Sequence, residues 1–319
     1  MKLLIVRLSS FGDVIHALPI AANAKRAGAE VGWLVEPAYR AVLEADPDVD
    51  RVFVADTKLW RRNLLSPATA SDVARLRRAL REFAPDRTLE AQGLWKSSLL
   101  ARSAGAPVIG FAAGERKEST SALLCDEPVR PRPGGHVVDR NLALAEAAGI
   151  PIHHRSPDAS FLLRRPCPEA DSFLADQPTP FAVYHPGAGR PEKTWGEARF
   201  AALAKLLSAE VGLAPVVSWG PGDEKRALVM AELLPGARRM PLLPPEGLAR
   251  VAARASLFVA GDTGPLHLAD ALGVSTLALY GPTDPARNGP YRRPHSAVRY
   301  DGATDAATVA RRAFELLAA

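Results

Sequence analysis

The sequence predicts an α/β protein of two domains, each with a parallel β-sheet flanked by helices. Continuous apolar runs, typical of strands covered on both faces, alternate with amphipathic stretches in both halves of the chain. The 319 residues, 47% of them hydrophobic, suffice for two domains of about 150 residues each. Seven prolines between residues 151 and 186 interrupt this alternation, and we predict the domain boundary there.

The first half begins with the apolar run "KLLIVRL" (2–8), which we predict to be a buried strand. Further strands are predicted at 31–35, 51–55, 87–91 and 107–111, and helices at 14–28, 72–83, 94–105 and 139–149. Residues 111–137 are polar, basic and rich in proline and glycine. We expect them to form long, mobile loops.

The second half repeats the same rhythm. Strands are predicted at 181–185, 214–220, 256–261 and 275–281, and helices at 197–210, 223–234, 246–254, 265–272 and 304–318. We predict an N-terminal domain over 1–160 and a C-terminal domain over 161–302. The last helix, within 303–319, is expected to pack back on the N-terminal domain.

Charge and cysteine content limit the classes of function. The net charge of +5 favours anionic ligands or membrane surfaces and is too small to indicate nucleic-acid binding. The basic runs 58–62 and 75–81 fit such a surface, and they equally fit a solvated helix face. Two cysteines without metal-type spacing indicate a reducing compartment. No uninterrupted apolar run of about 18 residues occurs, so we expect a cytoplasmic protein.

The stretch "GDTGPLHLADALGV" (261–274) marks the point where a buried strand is predicted to turn into a helix. Thr263 and Gly264 fall where a helix N-terminus presents free N–H groups, which attract phosphate. Three interpretations stay open from the residues alone. The stretch is a phosphate site, an ordinary helix cap with a core-facing His267, or a metal site formed by Asp262, His267 and Asp270.

Three further loops follow predicted strands and carry polar side chains. "SSFGDVIHALP" (9–19) lacks G-x-G-x-x-G, which argues against a dinucleotide-dependent dehydrogenase. Its Asp13 is a general base or a helix-start carboxylate. In "HPGAGRPEKTW" (185–195), Arg190 and Lys193 could meet a diphosphate or simply lie on the surface. In "SWGPGDEKRA" (218–227), Glu224, with Asp223 as the alternate, could bind ribose hydroxyls.

Together these loops resemble the heptosyltransferases of lipopolysaccharide core synthesis, glycosyltransferase family 9, whose members have the two-domain GT-B fold. The matching stretches are "LIVRLSSFGDVIHALP", "AQGLWKS" (91–97), the loop at Lys193, "GDTGPLHLADALGV" and "YGPTDP". The resemblance spans residues 4 to 286. It implies two Rossmann-like domains whose parallel sheets face each other across a cleft.

The resemblance also implies roles for individual residues. Asp13 matches the catalytic base and Lys193 a lysine that meets the phosphates of the donor. The remaining donor-binding positions implied are Gly187, Ala188, Glu224, Leu243, Asp262, Thr263, Gly264 and His267. The acceptor-binding positions are Ser10, Gly12, Lys58, Arg61, Arg62, Gln92, Lys96, Arg116 and Lys117. Gly187, Ala188 and Gly189 stand where a relative has hydroxyl residues, and their backbone N–H groups could replace those hydroxyls.

The reaction implied is an inverting transfer of heptose from ADP-heptose to the inner Kdo of Kdo2-lipid A. No metal or other cofactor is expected, and ADP-heptose is the donor substrate. The expected partners are the glycolipid acceptor and the cytoplasmic surface of the inner membrane, with no nucleic acid. A different heptosyl step and a sugar-nucleotide epimerase are the alternatives within the fold. A non-catalytic nucleotide or glycolipid binder is the alternative outside the enzymes.

Overall fold

A computed structural model describes residues 1–189 and 191–318 and divides the chain into two compact units, Met1–Pro157 and Asp158–Ala319. Each unit contains one parallel six-stranded sheet with helices, which confirms the predicted fold class. The division falls just before the boundary predicted after residue 160.

The sheet of the first unit has the strand order β3-β2-β1-β4-β5-β6. Its strands are β1 (Lys2–Val6), β2 (Glu30–Val35), β3 (Arg51–Val54), β4 (Arg87–Glu90), β5 (Val108–Phe111) and β6 (Glu127–Val129). Its helices are α1 (Phe11–Ile15), α2 (Leu18–Arg26), α3 (Arg40–Ala45), α4 (Thr57–Arg62), α5 (Pro67–Phe83), α6 (Trp95–Ser103) and α7 (Val137–Ala147). Short 3₁₀ turns lie at Pro37–Tyr39, Ala113–Glu115 and Ser119–Leu124.

Strand β1 lies in the middle of this sheet, between β2 and β4. Residues 3–6 are fully buried, as the unbroken apolar run predicts. Ile5 pairs with Trp33 of β2 on one side and with Leu89 of β4 on the other. The loops after β1 and β4 therefore begin side by side.

Two expectations for the first unit are corrected. The helix predicted over 14–28 is divided into α1 and α2, because Pro19 in the first turn of α2 cannot donate a backbone hydrogen bond to the preceding turn. Residues 111–137 are not loops throughout, since they contain β6, which pairs with β5. The side chain of Arg116, which belongs to this segment, is buried and pairs with Glu90 at the end of β4.

The second unit has the strand order β12-β11-β10-β7-β8-β9. Its strands are β7 (Phe181–His185), β8 (Ala214–Val217), β9 (Arg238–Arg239), β10 (Leu257–Gly261), β11 (Thr276–Tyr280) and β12 (Ala297–Arg299). Its helices are α8 (Pro168–Ala175), α9 (Glu197–Val211), α10 (Glu224–Leu233), α11 (Pro245–Arg254), α12 (Gly264–Ala271), α13 (Pro285–Asn288) and α14 (Ala306–Ala318). Short 3₁₀ turns lie at Ser160–Arg164, Pro191–Lys193 and Pro294–Ser296.

The C-terminal helix belongs to the second unit, and the expectation that it packs back on the N-terminal domain stays a prediction. Helix α14 packs against α9. Its buried residues Val309, Ala310 and Ala313 are part of the same apolar cluster as Phe200 and Leu203 of α9. These residues form the apolar face of α14, and α9 of the same unit covers that face.

Both sheets reverse their strand order next to the first strand. In the first unit the chain moves from β1 to β2 and β3 on one side, then returns to β4 on the other. The second unit repeats this pattern around β7, with β8 and β9 on one side and β10 on the other. Ligands of open α/β sheets bind beyond the carboxyl ends of the strands at such reversals. Within residues 1–189 and 191–318, no helix combines the length and the apolar character needed to cross a bilayer.

Candidate active site

Asp13 lies at the strand reversal of the first unit, on α1 immediately after β1. The side chain of Arg7 contacts Asp13 Oδ1 at 2.5 Å and also donates to the carbonyl oxygen of Ala91, after β4. Asp13 Oδ2 accepts hydrogen bonds from the backbone N–H and the hydroxyl of Ser10, each at 3.0 Å. The aspartate thus caps its own helix and faces a buried cation at the same time. Its side chain keeps 37% of its surface exposed.

The surroundings of Asp13 favour its ionised form. Partial desolvation raises the pKa of the carboxyl, but the charge of Arg7 and the hydrogen bonds from Ser10 outweigh that effect and hold the pKa below its usual value. An exposed carboxylate that stays ionised and accepts hydrogen bonds can take a proton from a hydroxyl placed against it.

Gln92 joins the loop after β4 to the loop after β1. Its side-chain carbonyl oxygen accepts hydrogen bonds from the backbone N–H groups of Leu8, at 2.7 Å, and Ser9, at 3.2 Å. Its amide nitrogen donates to the hydroxyl of Ser9 at 3.3 Å. Gln92 therefore fixes the segment that leads into Ser10, Gly12 and Asp13.

A buried carboxylate, Glu90, holds the "AQGLWKS" loop in place. It accepts hydrogen bonds from the N–H groups of Gln92 and Gly93, at 3.0 and 2.9 Å, and from the hydroxyl of Ser97, at 2.7 Å. Arg116 forms an ion pair with Glu90, and both side chains are completely buried. The expectation that Arg116 contacts an acceptor is corrected, because its charge is directed into the protein interior.

The other basic acceptor candidates follow β3, β4 and β5. Lys96 is half-buried, and its Nζ lies 2.9 Å from Thr57 Oγ1 and 3.3 Å from the buried Glu36 Oε1. Exposed side chains carry the remaining charges, at Lys58, Arg61, Arg62 and Lys117. These cations thus follow strands of the sheet that carries Asp13 at its carboxyl edge, and their contact with an acceptor stays a prediction.

The second unit brings Lys193, Asp262 and His267 together at its own strand reversal. Lys193 Nζ lies 2.6 Å from Asp262 Oδ2, and His267 Nε2 lies 3.3 Å from Asp262 Oδ1. Gly261 permits this approach, since a Cβ there would lie 3.2 Å from the carbonyl oxygen of Lys193. Burial raises the pKa of Asp262, but His267 and Lys193 together hold it well below its usual range.

Helix α12 begins directly beside this cluster. Thr263 precedes the helix in an extended conformation, and its hydroxyl donates back to the carbonyl oxygen of Gly261 at 3.3 Å. The N–H groups of the first helical turn are therefore left to other acceptors. With Lys193 adjacent, this helix start combines the two features that favour an anion.

The loops after β7 and β8 approach each other through Gly187 and Asp223. A Cβ on Gly187 would collide with the carboxyl group of Asp223, so glycine is required for this close contact. Glu224 is directed away and pairs with Arg239 at 3.3 Å. The structure therefore places Asp223, the alternate candidate, against the loop of Gly187 and Ala188. Arg190 lies outside the described residues.

Two further candidate residues, Leu243 and Asp270, contact other parts of the second unit. Leu243 is half-buried against the apolar cluster that includes Val251 and Ala252 of α11, and its contact with a base stays a prediction. Asp270 accepts hydrogen bonds from the N–H groups of Tyr291, at 2.7 Å, and Arg292, at 3.2 Å. In the part of the chain that the structure describes, no group of three or more His, Cys, Asp or Glu side chains is arranged to hold a metal ion.

Comparison with known proteins identifies the family. A family model described as glycosyltransferase family 9 (heptosyltransferase) matches residues 73–315. This chain belongs to glycosyltransferase family 9. It is similar to lipopolysaccharide heptosyltransferase 1 of Pseudomonas aeruginosa, with 35% identity over 298 residues, which cover 92% of this chain and 82% of that protein.

Two solved structures of the Escherichia coli heptosyltransferase WaaC share the fold of this family 9 chain. The structure with ADP has a TM-score of 0.84 at 30% identity and covers 99% of this chain and 100% of that one. The structure with ADP-2-deoxy-2-fluoro heptose has a TM-score of 0.81 at 30% identity and covers 99% of both chains. The expected GT-B fold and the expected glycosyltransferase class are therefore confirmed.

Sequence reasoning missed two residues that position this site. Arg7 appears in the sequence only as an interruption of an apolar run, and Glu90 as the end of a strand. A charge inside a run otherwise buried on both faces is a signal, because such a charge needs a partner. For Arg7 that partner is Asp13, and for Glu90 it is Arg116.

We expect the Glu90–Arg116 pair to be strongly coupled. Glu90→Gln or Arg116→Met leaves one buried charge unpaired and should lower the free energy of unfolding by about 3–5 kcal/mol. The double variant Glu90→Leu/Arg116→Met should cost less than the sum of the two single changes. Urea unfolding measures all of them, with Asp72→Asn at an exposed ion pair as the control. Strictly additive losses would contradict the coupling.

We also expect Arg7 to set the ionisation of Asp13. Arg7→Met removes the cation that favours the carboxylate, so the pKa of Asp13 should rise, whereas Arg7→Lys keeps the charge and should raise it less. An NMR titration of the Asp13 carboxyl carbon measures both. An unchanged titration in Arg7→Met would show that the ion pair does not control this group.

Proposed function

We propose that this family 9 glycosyltransferase is an inverting enzyme that moves L-glycero-D-manno-heptose from ADP-heptose to the inner Kdo of Kdo2-lipid A. The observation that carries the proposal is the pair of polar clusters at equivalent strand reversals. Asp13 is ionised and exposed in the first unit, and Lys193 lies beside a helix start in the second. The first cluster has the chemistry of a base, and the second has the chemistry of a diphosphate site.

Donor binding is assigned to the second unit. The pyrophosphate of ADP-heptose meets Lys193 and the N–H groups at Thr263 and Gly264. The loop of Gly187 and Ala188 supplies further N–H groups, and Leu243 packs on the base. Asp223 is closer to this loop than Glu224 and is the better candidate for the ribose hydroxyls. Support comes from the relative WaaC, whose structures contain ADP and ADP-2-deoxy-2-fluoro heptose.

Asp13 acts as the general base in this scheme. It takes the proton of the attacking Kdo hydroxyl while the new bond forms to the anomeric carbon of heptose. The bond from that carbon to the ADP oxygen breaks, and ADP leaves with its added negative charge stabilised by Lys193 and the helix N–H groups. These side chains supply the base and the leaving-group stabilisation, and we propose that no cofactor is required.

Acceptor binding is assigned to the first unit. The phosphates and carboxylates of Kdo2-lipid A suit the cations that follow β3, β4 and β5 of the same sheet, which are Lys58, Arg61, Arg62, Lys96 and Lys117. We place the Kdo hydroxyl against Ser10, Gly12 and Gln92, next to Asp13. Because the acceptor is a glycolipid, we place the enzyme in the cytoplasm, at the surface of the inner membrane.

Asp13→Asn tests the base. The substitution keeps the shape of the side chain but removes the proton acceptor, so turnover should fall by about 10²- to 10⁴-fold. ADP affinity should be unchanged, because Asp13 does not belong to the donor cluster. The measurement is ADP release from ADP-heptose with and without a Kdo-lipid A acceptor, with Asp176→Asn at an exposed site as the control. Near-normal turnover would refute the assignment.

Lys193→Met tests the diphosphate site. The loss of a charged donor should weaken ADP binding by roughly 10- to 100-fold, whereas Lys193→Arg should retain most of the affinity. Isothermal titration with ADP measures this, and Lys205→Met on the exposed face of α9 is the matched control. If the two methionine variants bind ADP equally well, Lys193 is not a phosphate ligand.

A further inference from the structure

The positive charge of the protein is concentrated in one short stretch, residues 58–81, which we call the basic segment. It contains seven of the 40 lysine and arginine side chains but only one of the 35 acidic ones. The rest of the chain carries 33 basic and 34 acidic side chains and is close to neutral. The net charge of +5 is thus a property of α4, α5 and the link between them.

Most of these charges face solvent and form no ion pair among the described residues, although Glu82 lies just beyond the segment beside Arg78 and Arg81. Helix α5 buries Leu76, Leu80 and Phe83 against the sheet, which leaves Arg77 and Arg78 exposed on its outer side. Arg75 pairs with Asp72. Among the described residues, no acidic side chain forms an ion pair with the other six basic side chains, Lys58, Arg61, Arg62, Arg77, Arg78 and Arg81. A solvated helix face would more commonly mix the two signs of charge.

The link between α4 and α5 carries two exposed leucines, Leu64 and Leu65, which we call the apolar tip. Leu64 is 73% exposed and Leu65 is 99% exposed, at adjacent positions. Single exposed leucines are ordinary, but here two leucines project together from a strongly basic surface. That combination, cations around a protruding apolar element, is the pattern of a protein surface that binds the interface of an anionic bilayer.

We infer that the basic segment docks on an anionic lipid bilayer, with Leu64 and Leu65 inserted between the headgroups. The inference deepens the proposed function and rests on it in one respect, since a glycolipid acceptor gives the enzyme a reason to meet a membrane. Helix α4 starts directly after β3, and Thr57 at its start contacts Lys96, which follows β4. Helix α4 and the link with Leu64 and Leu65 therefore lie at the same edge of the sheet as Asp13. Helix α5 extends the basic surface from there toward Phe83, whose ring lies beside Lys2 and Arg51 at the starts of β1 and β3.

The experiment uses the full chain and vesicles that contain no acceptor. Flotation with vesicles of phosphatidylglycerol and phosphatidylcholine is compared with flotation with phosphatidylcholine alone, at low and high salt. Leu64→Ser/Leu65→Ser should weaken binding to the anionic vesicles by about tenfold or more. Arg77→Gln/Arg78→Gln should weaken it by about fivefold for each charge removed. Leu228→Ser/Val229→Ser, at two exposed apolar residues of α10, is the matched control and should not change it.

Two further measurements separate insertion from simple adsorption and from catalysis. In a Leu65→Trp variant, brominated lipids should quench the new fluorescence if the tip enters the bilayer. The serine variant should retain full activity on a deacylated, water-soluble acceptor, because neither leucine belongs to the proposed active site. The failure of transfer to any acceptor would refute the proposed function but leave the vesicle result standing.

Three outcomes would overturn the inference. The first is an absence of binding to anionic vesicles at low salt. The second is equal binding by the wild-type chain and the serine variant, which would leave the leucines without a role. The third is an equal loss in the α10 control pair, which would show that any exposed apolar pair produces the effect.

Discussion

A parallel sheet gathers the carboxyl ends of all its strands at one edge, and the rest of this structure depends on where the strand order reverses along that edge. In each sheet the first strand lies between the second and the fourth. The loops that follow the first and fourth strands diverge to opposite sides, which leaves a crevice between them. Asp13 and Gln92 occupy this position in the first unit, and Lys193 and Asp262 occupy it in the second. Topology therefore brings together residues that are far apart in sequence.

Each of the two clusters contains a partly buried aspartate, and different partners stabilise its negative charge in the two units. A carboxylate near the low-dielectric interior is stabilised only if a cation or several N–H groups face it. Asp13 faces Arg7, which is itself held by the carbonyl oxygen of Ala91. Asp262 faces Lys193 and His267. Arg7 is buried and fixed, which suits a base that must keep one orientation. Lys193 ends the 3₁₀ turn Pro191–Lys193 and keeps part of its side chain exposed, which suits the exchange of partners on anion binding that we propose.

Much of the fold could be predicted from the sequence because buried parallel strands are continuous apolar runs. This holds for β1, β7, β10 and β11. It fails for β6, β9 and β12, which have two or three residues each and lie at sheet edges, too short for any period to show. Helix α8 was not predicted, because Pro168 was interpreted as a residue that breaks regular structure. Proline is nevertheless tolerated in the first turn of a helix, which is where Pro168 lies. For the candidate site, the position of Asp13, Lys193 and Asp262 after predicted strands indicated that they would lie at the carboxyl edges of the sheets. Arg116 was misjudged, because sequence position cannot show that an arginine faces a buried glutamate.

The pairing of Lys193 with Asp262 has a consequence for donor binding. With Nζ 2.6 Å from Asp262 Oδ2, the lysine is already neutralised, so a diphosphate gains less from it than from an unpaired cation. The gain is larger if His267 keeps its contact with Asp262 while Lys193 turns to the phosphate. In the proposed function, His267 is then the partner that Asp262 keeps after Lys193 has turned to the phosphate. In the proposed function, this exchange leaves one oxygen of Asp262 for the hydroxyl groups of the donor sugar.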